Sequence, residues 1–151
     1  MLTLVGGGTL RIARDSVVDV RAADEFEIRR GQLYVDLPPE QKRLATFIVR
    51  TSLGVVEHLG TQYEVAVVTD GVRIRVREGQ IRLRATSRSE IAVAGMELLA
   101  SPAGTIAHRP VATQGSEWSW VDALAPPYAI ENRRLAEFLQ WVARETGYRL
   151  Q

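Results

Sequence analysis

The chain has 151 residues, 46% of them hydrophobic and 25% charged, with 19 basic and 18 acidic side chains. That suits one ordinary soluble domain, or one domain plus part of another, with enough chain to bury its own core. A net charge of +1 argues against a dedicated nucleic-acid binder, the absence of Cys excludes disulfides and thiolate metal sites, and two His are too few for most imidazole sites.

No apolar run approaches the ~18 residues of a membrane span. The opening "MLTLVGGGTLRIARDS" lacks a basic region and a sustained apolar core, so it is not a secretory signal. The chain is therefore expected to be cytosolic or a piece of something longer.

The first three-quarters read as β. "TLRIA" (9–13), "SVVDVRA" (16–22), "EFEIRR" (25–30) and "QLYVDL" (32–37) are short alternating runs, punctuated by Gly31 and by Pro38 with Pro39. This is the rhythm of a sandwich, barrel or solenoid. From Phe47 to Val67 the odd-numbered positions stay largely apolar, through Val49, Leu53, Val55, Leu59, Tyr63 and Val65. That reads as one long strand. Gly60 lies on its other face and is expected to let it bend sharply; a ligand's close approach is the functional alternative.

"GVRIRVREGQIRLRA" (71–85) predicts a hairpin turning at Glu78 and Gly79. Val72, Ile74, Val76, Ile81 and Leu83 face the core, and Arg73, Arg75, Arg77, Arg82 and Arg84 face water. The five arginines are expected to meet acids on neighbouring strands, with Glu57 and Glu64 as candidates, rather than to bind phosphate. Residues 90–112 give two or three more strands, with turns at Ala94 and Gly95 and around Gly104. Residues 113–116 suit a linker.

The last 35 residues differ in character. They hold all three Trp and an amphipathic helix with Leu135, Phe138, Leu139 and Val142 on one stripe, Asn132 as its cap and Gly147 just past its end. "YAI" (128–130) and "YRL" (148–150) read as flanking strands. The expected domains are 1–116, all β, and 117–151, a linker and the first part of an α+β unit.

No chemistry is legible. There is no phosphate-binding loop, zincin motif or nucleophile elbow, and the Gly-rich start leads into a strand rather than a helix. His108, Ser119 and Asp122 supply the residue types of a triad without a motif. His58 and His108 are expected at the surface, and the Trp residues in core or interdomain packing. No catalytic residue, cofactor or metal is expected.

"TSLGVVEHLGTQYEVAV", "VRIRVREGQIRLRA" and "IAVAGMELL" together resemble the FecR family. Its pattern runs "xLGTxFxV", "VxVxEGxVxL", then an "AGE" step. Leu59, Gly60, Thr61, Tyr63 and Val65 match the first block, Tyr replacing the common Phe. Val76, Glu78, Gly79, Ile81 and Leu83 match the second; Ala94, Gly95 and Glu97 match the third, with Met96 inserted. The tail is similar to the start of an STN-type module, through Leu135, Leu139, Val142, Ala143, Thr146 and Gly147.

The resemblance implies a mainly β fold, a twisted solenoid-like or sandwich-like unit of short antiparallel strands followed by a partial βαβ segment. It implies the non-catalytic periplasmic region of an inner-membrane anti-sigma regulator of cell-surface signalling. Its sigma-binding segment and membrane helix would lie outside this chain. The partner would be the N-terminal signalling domain of a TonB-dependent transducer, relaying a signal such as a ferric siderophore to an extracytoplasmic-function sigma factor. Trp141, Tyr148, Arg149 and Leu150 are the candidate partner-binding residues, with strand addition at the edge strand 148–150 as the expected mode, and that C-terminal edge could also pair with a second copy. The rival reading is a carbohydrate- or cell-wall-binding β domain that uses exposed Trp.

Overall fold

A computed structural model describes residues 1–4, 7–37, 47–60 and 62–148. Thr61, Arg149 and Leu150, together with the Pro38 and Pro39 punctuation, lie outside the described residues. Twelve strands form one connected, curled sheet: β1 (Leu2–Thr3), β2 (Thr9–Ile12), β3 (Val17–Ala22), β4 (Glu25–Asp36), β5 (Ile48–Thr51), β6 (Gly54–His58), β7 (Gln62–Val68), β8 (Gly71–Glu78), β9 (Gln80–Arg84), β10 (Ser89–Val93), β11 (Met96–Ala100) and β12 (Ile106–Pro110). A four-residue helix α1 (Ser119–Asp122) and a longer α2 (Leu135–Thr146) follow.

The sheet folds over into two limbs around one apolar cluster, as a sandwich does. One limb runs β10-β9-β6-β5-β4-β3 and the other β12-β11-β8-β7-β4-β2-β1, with the long β4 shared between them. All pairs are antiparallel except β4 with β5. Inward side chains alternate along each strand: Leu33 and Val35, Val65, Val72 and Ile74, Ile81 and Leu83, and Leu98 are all buried.

Glycines make the corners where the chain changes limb. Gly60 joins β6 to β7, Gly79 joins β8 to β9, and Gly95 joins β10 to β11, all at one end of the limbs. Three backbone bonds cross there: Leu59 N–H to Gln80 O (3.2 Å), Ala94 N–H to Gly79 O (2.9 Å) and Gly95 N–H to Val76 O (3.0 Å). A Cβ on Gly60 would stand 2.2 Å from Gln80 N and 2.7 Å from Gly79 Cα. The bend expected at Gly60 is there, and close backbone approach is its cause. At the opposite end β4 bends at Gly31 (φ 87°). It is one continuous strand where two were expected.

Two strand readings need correcting. The stretch from Phe47 to Val67 is not one long strand. Ser52 and Leu53 form a tight turn, stapled by Thr51 Oγ1, which accepts from Leu53 N–H (3.2 Å) and donates to Gly54 O (2.9 Å). The turn shifts the inward parity: Val49 and Val56 face each other in the core. Similarly, β8 and β9 are not a hairpin. Gly79 (φ 76°) sends β9 into the other limb, where it pairs with β6 and β10.

His58, expected at the surface, sits partly buried between the rings of Phe47 (6.4 Å) and Tyr63 (5.9 Å). Burial lowers its pKa to about 4.

Residues 128–130 are not a strand, contrary to expectation. Pro126 and Pro127 precede them and offer no backbone donors, and the Tyr128 ring packs on Phe138 (5.6 Å) and Trp141 (5.3 Å). The βαβ reading of the tail therefore loses its first strand. Arg134, without a side-chain cap bond, starts α2; Asn132 instead takes a left-handed turn (φ 61°), which Asn tolerates. Gly147 closes α2 in the left-handed conformation (φ 73°), its N–H bonded to Ala143 O, as expected of a C′ glycine.

Candidate interaction surface

The outer face of the β2–β4–β7–β8–β11 limb is polar in sequence, yet the C-terminal segment covers it. Trp118 and Val121 are buried against Tyr34, with Trp120 packed alongside. Trp118 meets Tyr34 edge-on (6.0 Å) and donates from Nε1 to Ala112 O (2.7 Å). Trp120 donates from Nε1 to the wholly buried Glu64 (3.2 Å), which also faces Arg73 (3.4 Å) and Arg75 (3.8 Å). Burial raises the Glu64 pKa, and the two guanidinium groups oppose that rise.

The expectation that neighbouring acids would answer the arginines holds, since Glu64 serves Arg73 and Arg75 while Glu57 serves Arg82 (3.4 Å) and Arg84 (2.9 Å). Arg77 does not face water. It is buried, its guanidinium lies 4.9 Å from the Trp118 ring, and it donates to Thr113 O, Glu145 O and Asp122 Oδ1, each at 2.9 Å.

The last turn of α2 is thus held by charge. Arg11, fully buried, donates to Val121 O (3.0 Å) and pairs with the Glu145 carboxylate. Burial raises the Glu145 pKa, opposed by Arg11. Arg144 pairs with Asp36, and Gln62 Nε2 donates to Arg144 O (3.2 Å). Donors on the terminal carbonyls are what a helix C-terminus favours. Arg11, Asp36 and Glu145 carried no sequence signal, because an outward charge on a strand reads as solvated until something covers it.

The N-terminal part of α2 is more open, with Phe138 and Val142 half-buried. Leu135 is 71% exposed and Leu139 39%, and neither apolar cluster of the protein includes any α2 residue. Trp141 belongs to a ring cluster with Tyr128 and Phe138. Tyr148 is exposed and lines a cleft of about 720 Å³ with Gln140, Arg144, Gly147 and Ala94. Leu59, Gly60, Glu78, Gly79 and Gly95 converge at the corners, whereas Tyr63 and Val65 are core. The motif residues thus sit at the bend and in the core.

Among the described residues no His, Asp or Glu cluster could hold a metal ion, and no helix is long and apolar enough to cross a membrane.

In fold the chain is similar to two crystal structures of a candidate anti-sigma factor from Parabacteroides distasonis. Each has a TM-score of 0.62 at 14% identity, covering 96% and 95% of this chain and 68% of that one. No curated protein matches in sequence. The model of the family described as FecR protein matches residues 1–82, more than half of the chain. The chain belongs to the FecR family.

Proposed function

We propose that this chain is the signal-receiving module of a FecR-type regulator, and that the apolar face of α2 around Leu135 and Leu139 is where its partner docks. The family and the anti-sigma-factor fold support a signalling-regulator role and a protein partner. The observation that carries the docking surface is an amphipathic helix held at one end by ion pairs while Leu135 and Leu139 stay exposed. Such a stripe fits helix-in-groove recognition. Trp141, Tyr148, Arg149 and Leu150 would extend the same contact.

The partner would be the signalling domain of a TonB-dependent transducer, and the message, for instance siderophore arrival, would pass to a sigma factor. The region would sit in the periplasm, as part of a membrane-anchored regulator, without catalysis. Within it, residues 1–116 would be the β unit, and residues 117–151 a linker and the beginning of an STN-like module.

The carbohydrate-binding alternative needs exposed Trp, but Trp118 is fully buried and Trp120 points its indole N–H at Glu64.

Calorimetric titration with the transducer's signalling domain tests the proposal. Saturable binding by the wild type, weakened at least tenfold in Leu135→Asp/Leu139→Asp, is expected. Equal binding by that variant would refute the α2 surface.

A further inference from the structure

The two limbs are unequal in width at one side. Going outward, β8 lies over β9 and β11 over β10, because each pair is joined through a corner glycine. Outside β11 there is one strand more, β12, paired with it along its whole length. Outside β10 there is none. After β12 the chain bonds back to the corner, Val111 N–H to Gly95 O (2.9 Å), and then crosses to the outer face of its own limb, where Arg77 holds Thr113. Among the described residues no strand lies beside β10 on that side, which leaves a lane beneath β12.

The backbone of β10 is ready to pair in that lane. Ala85 N–H bonds to Arg88 O and Ala94 N–H to Gly79 O, so bonded pairs alternate along the β9–β10 ladder. Glu90 and Ala92 then exchange bonds with Leu83 and Ile81. Ser89, Ile91 and Val93 are left with their N–H and C=O groups facing the empty lane.

The edges of the sheet are not alike. β3 also exposes apolar side chains, Val17 at 42% and Val20 at 64%, but it carries two register breaks and sets a half-exposed Asp19 and an exposed Arg21 beside Val20. β12 ends in His108, Arg109 and Pro110, and β1 has two residues. These are the usual protections against strand pairing. β10 has no Pro, Lys or bulge, and it exposes Ile91 at 50% and Val93 at 45%.

We propose that β10 is an acceptor for one extended strand donated by a partner protein, a second docking surface independent of α2. The donated segment would have apolar side chains at alternate positions, lying beside Ile91 and Val93 on the outside. Its inward side chains would meet Ile106 and the His108–Glu90 pair (3.5 Å), which line the lane from above and from the side. A cavity of about 110 Å³ bounded by Leu53, Ala85, Ala100 and Ile106 leaves room at its far end. The overhang of β12 decides between occupants. A second copy pairing β10 to β10 would bring its own two-layered edge, with its own β12, against this one, whereas a single strand fits beneath.

The probe is a pool of eight-residue peptides with Val, Ile or Thr at alternate positions, and its readout is amide exchange in the intact chain. Slowed exchange at Ser89, Ile91 and Val93 is expected, with affinity lowered at least tenfold in Ile91→Pro and abolished by N-methylation of the peptide. Pro at 91 removes a lane-facing donor and no bond of the existing ladder, so the fold survives, checked by unchanged Trp fluorescence. Absence of protection at millimolar peptide, protection of β3 or β12 instead, or equal binding of the N-methylated pool would overturn the proposal. Association of the chain into dimers through β10 would do so as well.

Discussion

Replacing Arg77 by Met separates a surface charge from a structural one. The guanidinium makes three bonds of 2.9 Å, to Thr113 O, Glu145 O and Asp122 Oδ1. Met keeps much of the apolar stem against Trp118 but removes every donor. Two carbonyls left without their partner cost about 1 kcal/mol each, at the lower end of the range for buried acceptors. The Asp122 carboxylate is about a third exposed and can rehydrate, so its loss adds only about 1 kcal/mol. The sum is about 3 kcal/mol. Urea unfolding followed by Trp fluorescence measures it, with Arg82→Met as the control. Arg82 faces Glu57 at 3.4 Å with its side chain 41% exposed, and its loss should cost less than about 1 kcal/mol. If the two variants unfold within about 0.5 kcal/mol of each other, the reading of Arg77 as a buried clamp is wrong.

Gly60→Ala should destabilise by about 1–3 kcal/mol, since its Cβ would overlap the backbone of Gln80 and Gly79; a thermal midpoint unchanged from wild type would contradict the close-approach account. His58 gives a pH signature. Its folded pKa of about 4 lies below the usual 6.5, so the folded state binds fewer protons. The stability it contributes is complete above pH 6.5 and falls as the pH drops towards 4. By linkage the loss is at most ~3 kcal/mol, and smaller to the extent that water reaches the ring. His58→Gln should remove that part of the slope; an unchanged slope would refute the assignment.

What the sequence showed and what it hid follow from the range of the interactions. Alternation is local, and it located most strands, including the inward faces of β8 and β9. The pairing of those strands is not local: "REGQ" reads as a hairpin, and only the crossing backbone bonds at Gly60, Gly79 and Gly95 make it a corner between limbs. The turn at Ser52 and Leu53 is hidden although Ser52 and Gly54 are turn-forming residues, because apolar residues continue on both faces across it and cover the shift in parity. The acids that answer Arg73, Arg75, Arg82 and Arg84 were legible, since cross-strand neighbours share a face. The cage of Arg11, Asp36, Arg77, Arg144 and Glu145 was not. It joins residues up to 134 positions apart, and each alone looks like an ordinary surface charge. The amphipathic stripe of α2 was legible, and its exposure was not. Periodicity says which face of a helix is apolar, but not what covers it.

The most direct test of the account is an exchange footprint of the chain with and without the signalling domain of a transducer. The account predicts slowed amide exchange and buried side chains along α2 around Leu135, Leu139 and Trp141, with the outer face of β3, β5 and β6 unchanged. A footprint on that face, with α2 exchanging as in the free chain, would contradict it.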